Sequence, residues 1–412
     1  MNIFASFKSL ENPLFRRLYA AELVSLLGDA ITWVGIALLA FQMVGDRSAV
    51  VLSIALTLRV AAFVVCSSYA GVLPDRLDRK KILIITHLFR MVTIGLLAFV
   101  QTVYQIYLIV LVVNIFRSFF VPALKASIPQ LVPEQEMYRN AISLYSGTYQ
   151  VLGVLGPAVA GALAGWFGAR SIFLVDAATF FVGAGILFTL PKALSVDAND
   201  KESEKGKTWS NIKQGTIPLF KNQQLRFVLF LQLAAAVVGA QILVNTVGYV
   251  KGALALGNTE YGWIMSAFGL GAAVAAFLLG SLQDRYKLTH LALFGALLMS
   301  LSILPGNLLP LSLLMVLWVG AGFAQSFVNV PMQTLIADTI PKNRQGRVYG
   351  AHFAWSHFWW ALAYPLAGLM GKGLQIPFFF WGGIISLMIA ILCWLFAFPN
   401  REVEVSGNFI DK

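Results

Sequence analysis

Six ionisable side chains stand inside long apolar stretches, where the expected surrounding is hydrocarbon: Glu22, Asp29, Arg59, Arg90, Arg117 and Asp176. A charge at bilayer depth is costly unless it is paired or reached by water, so such residues are candidates for ion or cargo handling. Counting 1.5 Å per helical residue puts Asp29 ~16 Å from the inner end of its segment, Arg59 ~14 Å from the outer end of the next, and Arg117 ~20 Å from the outer end of the fourth. All three lie near the midplane. A carboxylate there can take a proton on one side of a membrane and release it on the other. A nearby guanidinium can set the carboxylate's acidity or meet an anionic group on a cargo. Asp29 is the first proton-coupling candidate, and Glu22, two turns earlier on the same face, is the second. A static ion pair that merely holds helices together is the competing role.

The other buried polar groups are neutral. Asn114 shares the fourth segment with Arg117, while Gln241 and Asn245, and then Gln325 and Asn329, are each spaced by four, so each pair shares a helix face and can present amides to one substrate. Polar contacts between helices would use the same residues. Trp355 and Trp359 share a further face, suited to a large organic cargo or to anchoring at an interface. Arg59, Asn114, Arg117, Gln241, Asn245, Gln325, Asn329 and Trp355 together form the expected substrate cavity. Arg90 and Asp176 are expected in structural roles, Arg90 with His87 beside a gate on the cytoplasmic side. No Ser/His/Asp or Cys/His arrangement, metal-ligand cluster or phosphate-binding Gly-rich loop is legible, so neither an enzyme nor an ATP-driven pump is expected, and no cofactor or metal. Cys66 and Cys393 both lie in apolar runs, as small buried hydrophobes do.

The elements that must carry these groups follow from composition. With 58% hydrophobic and 12% charged residues and a mean hydropathy of +0.76, the chain has too little polar surface for a water-soluble domain. A membrane span needs about 20 residues. Apolar segments fall at roughly 18–44, 50–73, 82–101, 104–126, 141–166, 171–190, 225–249, 259–282, 289–306, 309–335, 349–371 and 375–398. These read as twelve helices in two sixes, residues 1–190 and 225–412, joined by a charged, solvated linker over 191–224. Lys and Arg collect in alternate loops, from Lys8, Arg16 and Arg17 through the linker lysines to Arg401, which places both termini in the cytoplasm. The net charge of +11 is explained by that asymmetry, so no nucleic-acid partner is expected. Met1 to Tyr19 lack a small-residue cleavage site, and no cleaved signal is expected.

The halves also resemble one another. Gly71-Val72-Leu73-Pro74-Asp75-Arg76 after the second segment recurs as Gly280-Ser281-Leu282-Gln283-Asp284-Arg285 after the eighth. Pro133, Arg139 and Pro157 recur as Pro341, Arg347 and Pro365 at one constant offset. The expected cytoplasmic gate comprises Gly71, Asp75, Arg76, Arg79, Lys80, Arg90, Arg139, Asp284 and Arg285, whose carboxylates can latch helix ends and basic side chains. In the fifth segment Gly153, Pro157, Gly161 and Gly165 are spaced by four, leaving one face nearly bare for close packing, and Gly156-Pro157 permits a bend.

Nearly the whole chain resembles a transporter of the major facilitator superfamily, with Gly71 to Lys81 similar to that family's loop after helix two. Phe120-x-Pro122-Ala123, Ile128 to Glu134 and Leu27-Gly28-Asp29 resemble its drug and siderophore exporter branch, which includes macrolide efflux proteins. The resemblance implies an all-α membrane protein of two pseudo-symmetric six-helix bundles, with helices one, four, seven and ten around a central cavity. The expected activity is proton-coupled export of a bulky amphipathic molecule, drug-like or siderophore, by alternating access. The expected setting is a monomer in the lipid bilayer of a bacterial inner membrane. Alternatives are a lysophospholipid or metal-ion transporter and, from another class, a membrane sensor that binds without transport.

Overall fold

In hydrocarbon every backbone N–H and C=O must find a partner within its own segment, which leaves the helix as the economical answer for apolar runs of this length. The computed structural model describes residues 6–70, 78–191, 208–372 and 377–398, and among them the secondary structure is helical throughout, with no strand. Twelve long helices cover the described residues: α1 (Pro13–Val44), α2 (Ser48–Ala70), α3 (Arg79–Leu96), α4 (Val103–Leu131), α5 (Gln135–Phe167), α6 (Ile172–Phe188), α7 (Gln223–Gly248), α8 (Asn258–Leu282), α9 (Leu288–Ile303), α10 (Leu311–Thr339), α11 (Lys342–Met370) and α12 (Phe378–Ala397). Their ends carry local signals. Asn12 caps α1, accepting from Leu14 N at 2.9 Å and Phe15 N at 3.1 Å ahead of Pro13, and its own amide donates to Leu131 O at the end of α4. Asp78 caps α3 in the same way through Lys80 N and Lys81 N.

Two boundaries differ from the hydropathy reading. Helices α4, α5 and α11 run several residues beyond the apolar segments, because a helix keeps its hydrogen bonds after it leaves lipid and hydropathy registers only the lipid-facing part. The linker is not solvated throughout: Thr208–Lys221 forms a helix that lies against α11, with Leu219 buried and Phe220 edge-on to Trp355 at 4.9 Å. The lysines ahead of it hid a short amphipathic pattern.

The helices form two six-helix bundles. In the first, α1 packs on α5 and α6, α3 on α4 and α6, and α2 on α4; in the second, α7 packs on α11 and α12, α9 on α10 and α12, and α8 on α10. The pairings map onto one another when six is added to each helix number, so the sequence repeat is a structural repeat. Contact between the bundles is doubled likewise, α5 on α8 and α11 on α2.

Both contacts are tightest toward the face where α1 ends and α2 begins, the face opposite the linker. A Cβ on Gly161 would lie 2.7 Å from Gly262 Cα, and one on Gly262 would lie 2.6 Å from Pro157 O, so here two backbones touch. Asn258 at the head of α8 donates to Ala164 O at 3.0 Å. In the second contact Gly368 of α11 rests on Ser53 and Ala49 of α2. Toward the linker face a Cβ on Gly147 of α5, Gly280 of α8 or Gly350 of α11 would meet open space.

Gly161→Val is expected to force α5 from α8 and destabilise the purified protein by about 1–3 kcal/mol, whereas Gly147→Val, on the open half of the same helix, leaves stability nearly unchanged. Thermal unfolding of both variants in nanodiscs measures the difference.

Candidate functional site

Asp29, on α1, is the centre of the charged cluster. Arg90 of α3 pairs with its Oδ1, and Arg117 of α4 donates to its Oδ2 at 2.6 Å, so one carboxylate ties three helices. Arg90 is only 1% exposed, while Asp29 and Arg117 keep 13% and 16%. The difference is directional: Asp29 and Arg117 line a narrow cavity with Thr32, Trp33, Asn114 and apolar groups of α3 and α4, and Arg90 closes it from behind. Arg90 is held there by rings, its guanidinium 4.1 Å over Phe180 and 5.9 Å over Phe120.

Around this clamp several further buried polar groups are satisfied within the first bundle, while Arg90 Nε and Ser48 Oγ have no hydrogen-bond partner among the described residues. Asp176 of α6 accepts from Thr32 and from Thr179 at 3.0 Å, and Gly28 sits against it with no room for a Cβ. His87 shares a 2.7 Å hydrogen bond with Ser25 and packs between Phe120 and Phe180. Glu22 differs. Tyr145 of α5 donates to its Oε1 at 3.2 Å, and its buried Oε2 has no partner among the described residues. Asn114 bonds to Val110 O on its own helix, 2.7 Å away, while lining the cavity.

Arg90 is thus placed otherwise than the sequence reading had it: it faces Asp29 at depth, since one helical turn separates it from the ring of His87 and the bundle core closes over both. Of the expected gate, Gly71, Asp75 and Arg76 lie outside the described residues. Arg79 donates to Ala126 O of α4 at 2.7 Å, and Lys80 donates to Phe188 O at 2.9 Å and to Leu190 O, meeting the free carbonyls at the end of α6 together with Arg17, which donates to Thr189 O at 2.9 Å. These contacts stay inside the first bundle. Asp284, Arg285 and Arg139 are exposed, and beside the first two Thr334 of α10 donates to Gln283 at 2.9 Å.

In the second bundle several expected cavity residues prove to be packing groups. Asn245 donates to Gln241 Oε1 at 2.6 Å and to Ala367 O at 3.0 Å, and Gln241 reaches Met370 Sδ at 3.1 Å, so this amide pair is buried between α7 and α11. An apolar helix interface leaves amides no other way to be satisfied than each other and nearby carbonyls. Trp355 is likewise committed, edge-on to Phe220 and 5.7 Å from Trp359, whose indole N–H donates to Leu229 O. Asn329 is exposed and accepts from Gln232 at 3.3 Å, while Gln232 Oε1 lies 2.9 Å from His352 Nε2; Gln325 is half-buried. In α5, Pro157, Gly161 and Gly165 lie against α8, the Gly153 carbonyl touches Gly269 of α8 while its side-chain position is open, and Gly156 faces Ala30 of α1.

A family model described as transmembrane secretion effector matches residues 4–407. The chain belongs to this family, within the major facilitator superfamily. An uncharacterized MFS-type transporter of Bacillus subtilis, YfiS, is 30% identical over 369 residues, spanning 83% of this chain and 84% of its own. Macrolide efflux protein A of Streptococcus pyogenes is 25% identical over 401 residues, spanning 92% and 95%. Among solved structures, the nucleoside transporter NupG superposes with a TM-score of 0.73 at 14% identity, over 92% of this chain and 98% of its own. A bacterial homolog to the human lysosomal transporter Spinster, inward-facing and occupied, superposes at 0.74 and 15% identity, over 92% and 95%. This secretion effector homologue is a multi-pass membrane transporter and not an enzyme.

Thr32, Trp33 and Tyr145 of its charged site, and Gln232 of the second bundle, escaped the sequence reading. Thr32 and Trp33 follow Asp29 by three and four residues, the spacing that puts them on its helix face, so helical periodicity alone would have found them. Gln232 carried the same signal as Gln241, an amide inside an apolar span. Tyr145, which meets Glu22 from another helix, had none.

Arg90→Ala is expected to cost about 3–5 kcal/mol, because it strips a buried carboxylate of one of two partners. Adding Asp29→Asn to it should cost less than the two single changes summed, as read by thermal unfolding of all three variants in nanodiscs.

Proposed function

We propose that this chain is a proton-coupled exporter of a bulky amphipathic small molecule, acting as a monomer in a bacterial inner membrane with both termini and the linker in the cytoplasm. The observation that carries the reading is Asp29, bound to Arg90 and Arg117 at the wall of a cavity. A proton on Asp29 cancels the one negative charge that both guanidiniums share. The clamp joining α1, α3 and α4 then loosens, and loss of the proton restores it. Glu22 and Tyr145 stand between this clamp and the linker face, and serve as a relay for the proton leaving toward the cytoplasm.

Residues 1–190 and 225–412 act as the two rocking bodies, with 191–224 between them. The doubled contacts α5 on α8 and α11 on α2 are the surfaces on which they turn. Export is favoured by the relatives named as macrolide and multidrug efflux pumps. A cytoplasmic linker face is favoured by the basic residues along it.

The test uses everted membrane vesicles with an imposed pH gradient, with erythromycin and 8-anilinonaphthalene-1-sulfonate as cargo probes. Wild type should accumulate at least one probe in a gradient-dependent way, and Asp29→Asn should remove the dependence on the gradient. Undiminished gradient-driven accumulation by Asp29→Asn would overturn the coupling assignment.

A further inference from the structure

Arg59 stands apart from the clamp. Its guanidinium lies 4.4 Å over the ring of Trp33, which lines the Asp29 cavity, and among the described residues no carboxylate is within ion-pair distance of it. Buried cations in the same bundle are treated differently: Arg90 and Arg117 both hold Asp29. A guanidinium at this depth that is answered only by a ring keeps its donors for something else.

Its position says what that could be. Arg59 is on α2, which forms one of the two contacts between bundles, and it lies within electrostatic reach of Arg117 of α4, Tyr149 of α5 and both Tyr364 and His357 of α11. Groups from both bundles therefore converge on one unpaired cation. Its strongest charged neighbour is another arginine, so the local field favours an anion. Asp29, already shared by two guanidiniums, is not free to supply it.

We propose that Arg59, with Trp33, is the docking point for a compact oxyanion on the cargo, a carboxylate, sulfonate or phosphate. The inference rests on the exporter reading and narrows it: the cargo is an anionic amphiphile, not a cationic drug. The energetics agree with export. An anion leaving a cell whose interior is negative moves down the electrical gradient, and a proton entering in exchange moves down it as well.

Two probes with one skeleton isolate the charge: 8-anilinonaphthalene-1-sulfonate and neutral N-phenyl-1-naphthylamine. Binding is read by quenching of protein tryptophan in zwitterionic nanodiscs, with empty discs as blank and no gradient, so that failure of proton coupling cannot mask the result. Wild type should bind the sulfonate about tenfold more tightly than the neutral probe, as a charge-assisted hydrogen bond in a partly desolvated site requires. Arg59→Gln should abolish that preference while leaving the neutral probe's affinity within about twofold, and Arg59→Lys should restore part of it. A cation that only props the helices would weaken both probes alike. Equal binding of the two probes by wild type, or an undiminished sulfonate preference in Arg59→Gln, overturns the proposal. Should Arg59→Gln fail to fold, Trp33→Leu, which removes the ring but keeps the cation, should weaken sulfonate binding without reversing the preference, and a reversal there overturns it equally.

Discussion

A charge inside hydrocarbon has to be answered within reach of its own side chain, and the first bundle is arranged around that requirement. Asp29 is answered twice, by Arg90 and Arg117, and in meeting it these side chains draw α3 and α4 onto α1. Asp176 is answered by hydroxyls, His87 by Ser25, and Arg90 additionally by two aromatic faces. Apart from Thr179, which shares α6 with Asp176, each answer is a contact between helices, so the polar network and the packing of this half are one structure. Removing one partner would leave the other stranded in a medium that cannot solvate it, which is why such pairs hold helices firmly.

The second bundle meets the same requirement without charges. Gln241, Asn245, Gln232 and His352 form amide and imidazole contacts between α7, α10 and α11, and the large rings of Trp355 and Trp359 fill the space against the linker helix. The amides among them carry no charge to gain or lose, so the packing of this half does not rest on ion pairs. The seal between the halves is made of neither. Gly161 against Gly262 is backbone on backbone, a contact that holds by fit, carries no charge to desolvate, and parts without leaving an ion behind.

Much of the architecture is legible in the chain. Apolar runs of span length and Lys and Arg in alternate loops follow from requirements that the bilayer imposes on any sequence, and the recurrence of Pro133, Arg139 and Pro157 in the second half marks the repeat directly. The midplane position of Asp29 and Arg117 was legible by counting residues along a helix, since rise per residue is constant. Their direct pairing was not, and neither was the arrival of Arg90 between Phe120 and Phe180, because which faces of α1, α3 and α4 meet depends on how the helices rotate and cross. Gln241 and Asn245 show the same limit from the other side. Spacing by four placed both amides on one face, but a face can look toward a cavity or toward Ala367 and Met370 of α11, and only packing chose the second.

By itself the sequence determined the medium, the long apolar helices and the duplication, because each is a one-dimensional property, set by composition or by distance along the chain. Tertiary structure alone decided the partners: Asp29 with two arginines, Glu22 with Tyr145, Trp33 beneath an Arg59 that no described carboxylate meets, and α5 backbone against α8 backbone. Partnership depends on the rotation of each helix about its axis. That rotation is the outcome of packing all the faces at once and is written in no single segment.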